Sequence, residues 1–202
     1  LRWEWYFGEN EQDSLSVAAF YKEMSDPIER VVQPASGTAG NTRTFQNSDQ
    51  AELYGMEIDG RKEFLLTSDY NRTLFVSFNM AYIESEVTAA NQLTRALQGQ
   101  PEYTANLVIG YDDLSAGQQL TLLYNQNGKS IADVGVLGAP DVYLEPRGEL
   151  NLVFRYDISD SATLKARIEN LLDEKVEYTQ GDGVFQSYEK GTTLQLGFDW
   201  SF

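Results

Sequence analysis

The sequence predicts an all-β protein, an antiparallel up-and-down transmembrane β-barrel, and three observations support this. Amphipathic stretches recur along the 202 residues, the connections between them alternate in length, and the final stretch carries aromatic side chains on one face. Side chains on a strand point alternately to its two faces, so a period of two gives each strand one apolar and one polar face.

The last strand shows this pattern most clearly. In residues 192–202 one face is polar, and the other carries Leu194, Leu196, Phe198, Trp200 and Phe202. A strand of about ten residues is what a tilted crossing of an outer membrane needs. The apolar face is therefore expected to contact lipid.

Eight further stretches repeat the alternation, which makes about nine strands in all. They lie at residues 1–7, 15–22, 50–64, 74–83, 104–112, 119–125, 149–158 and 163–169. In the last two, charged residues share the polar face, as expected for a wet barrel interior. Apolar runs stay far short of the roughly 20 residues that a membrane helix requires, so any membrane span must be a strand.

Short and long connections alternate along the chain. The short ones are 8–14, 67–72, 112–117 and 159–161, and the long ones are 25–49, 88–101, 127–146 and 171–191. Outer-membrane barrels have this asymmetry, with short periplasmic turns and long extracellular loops. A soluble β-sandwich gives no reason for it. A soluble lipocalin-like barrel stays open as an alternative, because the strand faces alone do not distinguish inside from outside.

The composition removes several classes of function. The formal net charge of −16 argues against nucleic acid as a partner, since neutralising phosphates takes an excess of Lys and Arg. Histidine and cysteine are absent, so neither a Ser-His or Asp-His catalytic pair nor thiolate metal ligation can be built. We predict no enzyme, no cofactor and no metal site. Gly181-Asp182-Gly183 is interpreted as a plain turn, because the acidic residues lack the spacing of an EF-hand.

Five sequence markers, taken in order, resemble one family. They are residues 1–6 (LRWEWY), Ala19-Phe20-Tyr21-Lys22 followed by Asp26-Pro27-Ile28-Glu29-Arg30, Tyr54-Gly55-Met56-Glu57-Ile58, Asn170-Leu171-Leu172-Asp173, and Gly191 opening the terminal strand. Each marker is weak alone. Together they resemble the C-terminal part of a TonB-dependent outer-membrane receptor, along nearly the whole chain.

The resemblance implies a protein of the bacterial outer membrane with a 22-stranded barrel closed around an N-terminal plug, of which about nine strands lie in this chain. Residues 1–202 would be the C-terminal part of that barrel, with the plug domain absent from this chain. The implied partners are the plug and remaining strands of the same receptor, TonB acting through the missing N-terminal region, and outer-membrane lipids. The barrel assembly machinery would read a C-terminal signal at Phe202.

The implied function is active transport. Such a receptor binds a scarce nutrient, for example an iron-siderophore, a similar chelate or an oligosaccharide, and imports it with energy supplied through TonB. The alternative is a passive porin-like or structural outer-membrane barrel, and a small barrel for adhesion or anchoring would need an even number of strands. A plug encoded upstream of residue 1 would favour transport, and its absence would favour a pore.

The candidate ligand-binding residues lie in the long loops and are Asp26, Glu29, Arg30, Tyr178, Gln180, Asp182, Phe185 and Tyr188. Loop aromatic side chains often stack on ligands, and the alternative for those of the last loop is packing within the loop itself. The alternative for Arg30 is pairing with a neighbouring carboxylate and capping of the strand. As a hypothesis, the acidic loops favour cationic or neutral cargo over anionic cargo.

Two further sets of residues belong to the barrel wall. The expected lumen-lining charges are Glu57, Asp59, Arg155, Asp157, Lys165, Arg167 and Glu169, which either compensate one another or contact the plug. The expected membrane-interface aromatic residues are Trp3, Trp5, Tyr111 and Trp200, because Trp and Tyr concentrate where a membrane meets water.

Overall fold

A computed structural model describes residues 1–8, 12–35, 40–88 and 94–201. Among them, every element is a strand, and no segment forms a helix long and apolar enough to cross a membrane. In chain order the strands are β1 Arg2–Phe7, β2 Asp13–Ser25, β3 Ile28–Pro34, β4 Asn41–Asn47, β5 Gln50–Leu65, β6 Arg72–Thr88, β7 Thr94–Arg95, β8 Tyr103–Asp113, β9 Gln118–Asn127, β10 Ser130–Gly135, β11 Val142–Leu144, β12 Arg147–Ser159, β13 Ala162–Glu169, β14 Val176–Gln180, β15 Gly183–Tyr188 and β16 Thr193–Trp200.

The larger sheet has the predicted up-and-down order. Its nine main strands follow one another as β1-β2-β5-β6-β8-β9-β12-β13-β16, all antiparallel, and the short β7 pairs with β6. The sheet is open in the described part of the chain, since β1 and β16 each pair with one neighbour. The prediction of about nine strands in an antiparallel arrangement is confirmed.

The register places the apolar side chains of neighbouring strands on one face. A single row across five strands joins Ile109, Leu122, Leu152, Ile168 and Leu194. The adjacent row on the opposite face includes Thr121, Val153, Arg167 and Gln195. Because a slip by one residue would turn every side chain of a strand to the other face, the apolar pattern fixes this register.

A second sheet, which the sequence analysis did not predict, forms from three of the four long connections. We call it the loop sheet, and its six strands run in the order β15-β14-β11-β10-β3-β4. The strands β3 and β10 run parallel, although they come from different connections. Val31, Ile131 and Val134 form a small core on one face of this sheet, packed against Val136 and Tyr143.

The loop sheet is curled, so that its two ends approach each other. The guanidinium carbon of Arg43, on the end strand β4, lies 5.4 Å from the ring centre of Phe185, on the opposite end strand β15. The side-chain amide of Asn41 donates to Oε1 of Gln180 at 3.2 Å. Among the described residues, side chains alone join the two ends, because β15 and β4 are the first and last strands of the hydrogen-bonded order.

Candidate functional site

The loop sheet is the candidate site, because it gathers residues from three long connections at one end of the larger sheet. Pairing positions sort its side chains into two faces, since residues directly opposite each other point the same way. We call the face that carries both arginines of the loop sheet the arginine face; it includes Arg30, Val32, Arg43, Asp133, Val142, Tyr178 and Gln180. The opposite face carries Glu29, Val31 and Val134.

The centre of the arginine face is a buried carboxylate. Asp133 is 1% exposed and accepts hydrogen bonds from the guanidinium groups of Arg30 and Arg43, the latter at 2.8 Å. Arg30 also donates to the carbonyl of Ala132 at 3.0 Å. Two cations thus share one anion, which leaves an excess of one positive charge here. Both guanidinium groups are about half exposed and retain donors that reach solvent.

Arg30 and Glu29 were predicted as neighbours in one site, and the structure separates them. Arg30 has the carboxylate partner that the alternative interpretation required, but that partner comes from β10. Glu29 is 2% exposed on the opposite face. Its carboxylate accepts hydrogen bonds from both terminal nitrogens of Arg95, at 2.7 and 2.5 Å. Ser48 donates to the same carboxylate at 2.6 Å. Both charges therefore tie strands of different connections together.

The environment of Glu29 lowers its pKa. Burial alone would raise the pKa, but the hydrogen bonds and charge of Arg95, with the hydroxyl of Ser48, outweigh burial, and the pKa lies below its ordinary value of 4.5. A carboxylate with a depressed folded-state pKa stabilises the fold above its unfolded-state pKa, and this stabilisation is lost as the pH falls through the folded-state pKa.

We therefore expect the loop sheet to loosen in acid. Amide hydrogen exchange of residues 28–34, corrected for the intrinsic rate, should show undiminished protection above pH 4.5 and decreasing protection below it. The Glu29→Gln variant should lose the part of this pH dependence that Glu29 causes. An identical pH profile in the two proteins would contradict the assignment.

The last loop brings three of its predicted residues to the arginine face. Tyr178 and Gln180 lie on β14 opposite Leu144 and Val142, and the ring of Phe185 lies beside Arg43. Gln180 also donates to the carbonyl of Pro140 at 2.9 Å. These aromatic and amide groups line the same place as Arg30 and Arg43, so the structure gathers half of the predicted ligand residues.

Three other predicted residues lie at the ends of the loop strands. Asp26 is exposed in the turn between β2 and β3, and its backbone has the left-handed φ of 51°. Asp182 occupies the turn between β14 and β15, and Tyr188 pairs with Val176 at the far end of that hairpin. Their roles remain predictions.

Arg43, Asp133 and Arg95 were not predicted from the sequence as site residues. One of them left a signal, because Asp133 interrupts the apolar run Ile131-Ala132-Asp133-Val134, where an unpaired charge would be costly. The cations that satisfy Asp133 and Glu29 lie on other segments, and nothing in their local sequences marks them. Gln98 was also missed; its amide bridges the backbone of Arg30 and the carbonyl of Ala132.

The predicted lumen-lining charges share the polar face of the larger sheet but form two separate groups. Glu57 and Asp59 lie on β5, with Arg2 bonded to Asp59 at 3.2 Å. The others lie on β12 and β13, beyond the three intervening strands β6, β8 and β9, in the pairs Arg155–Asp157 at 2.9 Å, Arg167–Glu169 at 2.9 Å and Lys165–Asp199 at 2.5 Å. Such pairing favours mutual compensation, and lining of a lumen stays a prediction.

The predicted interface aromatic residues lie on the apolar face of the larger sheet. Trp3 and Trp5 pair with Val17 and Leu15, Tyr111 pairs with Leu120, and Trp200 pairs with Ala162. Phe202 lies outside the described residues. Within residues 1–8, 12–35, 40–88 and 94–201, no group of three or more Asp or Glu side chains is arranged to hold a metal ion.

A family model of the TonB dependent receptor-like β-barrel matches residues 1–171. The chain belongs to the TonB-dependent receptor family. The chain accordingly forms part of an outer-membrane β-barrel, and its family consists of receptors rather than enzymes. It spans about 28% of the length of the curated relatives that it matches.

Among these relatives is the iron-regulated outer membrane virulence protein of Vibrio cholerae, which is 27% identical over 199 residues and covers 94% of this chain. Similar solved structures include the FrpB iron transporter of Neisseria meningitidis, at 13% identity and a TM-score of 0.60, over 94% of this chain and 28% of that one. The ferric enterobactin receptor of Pseudomonas aeruginosa matches at 19% identity and a TM-score of 0.61, over all of this chain and 30% of that one. At these identities the solved structures show the shared barrel fold.

Proposed function

We propose that this chain is the C-terminal barrel part of an active-transport receptor that imports an iron-siderophore or a similar metal chelate with energy from TonB. Family membership carries the proposal. Its partners would be the plug, the other barrel strands, TonB, outer-membrane lipids and the barrel assembly machinery. The open edges of β1 and β16 support further strands as neighbours, because unpaired backbone groups in lipid cost several kcal/mol each.

The chemistry of the arginine face favours an anionic chelate. The whole chain carries a net charge of −16, yet this face holds two guanidinium groups for one carboxylate. Guanidinium forks bind carboxylate and other oxyanions with two parallel hydrogen bonds, and Phe185 and Tyr178 add aromatic surface. The overall acidity led us to expect cationic or neutral cargo, whereas the positive charge of the arginine face favours anionic cargo.

Uptake by the full-length receptor tests the proposal. The receptor is produced in cells that lack other iron-chelate receptors, with and without TonB, and uptake of labelled ferric enterobactin, a ferric hydroxamate and a maltooligosaccharide is measured. We expect uptake of an iron chelate only with TonB. Uptake that is independent of TonB would support the porin-like alternative, and uptake of the oligosaccharide alone would overturn the chelate as cargo.

Removing the charge of Arg43 should weaken binding of an anionic chelate. In Arg43→Gln the receptor loses a charged donor that is about half exposed, and we expect the dissociation constant of the imported iron chelate to rise by about tenfold. Equilibrium binding to the purified full-length receptor measures it. The matched control is Lys175→Gln, a loop cation that pairs with Glu189 outside the arginine face. Equal affinities in the two variants would remove Arg43 from the site.

A further inference from the structure

The turn that follows β13 is built around one buried asparagine. Asn170 is 5% exposed and has a left-handed φ of 56°. Its backbone N–H donates to the side-chain oxygen of Asn151 on β12 at 2.9 Å, which fixes the turn to the larger sheet. The residue opens the motif Asn170-Leu171-Leu172-Asp173, to which the proposed function assigns no role.

Asn170 also joins the two ends of the last loop. Its side-chain Nδ2 donates to the carbonyl of Gly191 at 2.9 Å, and its own carbonyl accepts from the hydroxyl of Thr192 at 3.0 Å. Glu169 ends β13 and Thr193 begins β16, so these two bonds close the loop at its base. We call these three residues the Asn170 clamp.

The chemistry of the clamp requires an asparagine. Asparagine adopts a left-handed backbone more readily than most residues do, and glycine would adopt it without supplying the donor. The side-chain Oδ1 is buried with no hydrogen-bond partner among the described residues, so the amide contributes to the clamp through its Nδ2. An aspartate would set a carboxylate oxygen against the carbonyl oxygen of Gly191.

The clamped loop carries one side of the candidate site. Its strand β14 pairs with β11 through Val142, Tyr143 and Leu144, and so places Tyr178 and Gln180 on the arginine face. Between the clamp and the hydrogen-bonded pairs of β14 and β15, the two arms of the loop are joined by the pair of Lys175 and Glu189, at 3.5 Å with both side chains more than half exposed. An exposed pair of this kind contributes little.

We propose that Asn170 is a positioning residue, whose amide closes the base of the last loop and so holds β14 and β15 against the rest of the loop sheet. The effect on ligand binding rests on the proposed function. The effect on the loop itself does not, because it concerns the order of residues 176–188 in the receptor without ligand.

Hydrogen exchange of the full-length receptor tests the clamp. In Asn170→Gly we expect residues 176–188 to exchange about tenfold faster, because two hydrogen bonds at the base are lost or loosened. Affinity for ferric enterobactin, used as the probe, should fall by about tenfold, while the melting temperature of the barrel stays the same. The control is Asp173→Gly. Asp173 has the same left-handed backbone three residues later, and its carboxylate lies 3.5 Å from the Asn170 amide.

Equal protection of residues 176–188 in wild type and Asn170→Gly overturns the proposal, and so does the same loss in Asp173→Gly. If Asn170→Gly does not assemble, Thr192→Val carries the test, because it removes one clamp bond and keeps the left-handed residue. A wild-type receptor that binds no iron chelate would refute the proposed function and leave the exchange result to decide on the clamp.

Discussion

Glu29→Ala is expected to release β3 from β7 and to destabilise the loop sheet by about 3–5 kcal/mol, the cost of breaking a buried ion pair. The cost arises because the cation that pairs with Glu29 would stay buried without a carboxylate. Arg95 has a side chain only 18% exposed and would lose both of its carboxylate contacts, while Ser48 would lose its acceptor. Hydrogen exchange of residues 28–34 in the full-length receptor measures the change.

A matched control is available in the same set of loops. Glu189→Ala removes a carboxylate that pairs with Lys175 at 3.5 Å, where both side chains are more than half exposed, and such pairs are worth about 0–1 kcal/mol. The double variant Glu29→Ala with Arg95→Ala should recover part of the loss, because no buried charge then lacks a partner. Equal effects of the two single variants would mean that the Glu29 pair behaves as a surface pair.

The main strands were predictable because each one carries its own evidence. In β12, Phe154, Tyr156 and Ile158 alternate with charged and polar residues, and this period identifies the strand without knowledge of its neighbours. Pairing then follows from the same pattern. The apolar residues of β13, such as Ile168 and Ala166, meet those of β12 in the observed register and would turn away from them after a slip by one residue.

The loop sheet was not predictable in this way, because its evidence is distributed along the chain. β11 has three residues, and β3 finds its parallel partner β10 roughly one hundred residues later. Strands this short have too few alternations to distinguish them from loops, and nonlocal pairing leaves no local signal. The sequence analysis therefore interpreted these segments as loops.

The same limit explains why Glu29 and Arg30 were both predicted as ligand residues. As loop residues, neighbours in sequence were expected to serve one site. As residues of β3 they point to opposite faces, because a strand turns successive side chains through about 180°. Recognition of β3 as a strand would have separated them, although the partners Arg95 and Asp133 depend on the tertiary fold.

Gly55→Ala is expected to be the most damaging change in the barrel wall. Gly55 lies on β5 between β2 and β6, and a Cβ there would lie 2.3 Å from the carbonyl oxygen of Tyr82 and 2.8 Å from the ring of Phe20. The ring can rotate, but the carbonyl belongs to the β6 ladder. Relief therefore requires opening of the β5–β6 pairing, and we expect a loss above the roughly 1–3 kcal/mol of ordinary overpacking.

Two other strand glycines make this expectation specific. A Cβ at Gly110 would lie 2.1 Å from the ring of Phe75, a side chain that can move at ordinary overpacking cost, whereas at Gly197 the nearest atom is 3.8 Å away. Denaturant unfolding of the full-length receptor should give Gly55→Ala the lowest free energy of unfolding and Gly110→Ala a higher one. Gly197→Ala should keep the wild-type value. If Gly55→Ala were as stable as Gly197→Ala, the close approach of β5 and β6 at Gly55 would be wrong. The order follows from what each new methyl group meets, because a backbone oxygen fixed in a ladder yields less readily than an aromatic ring.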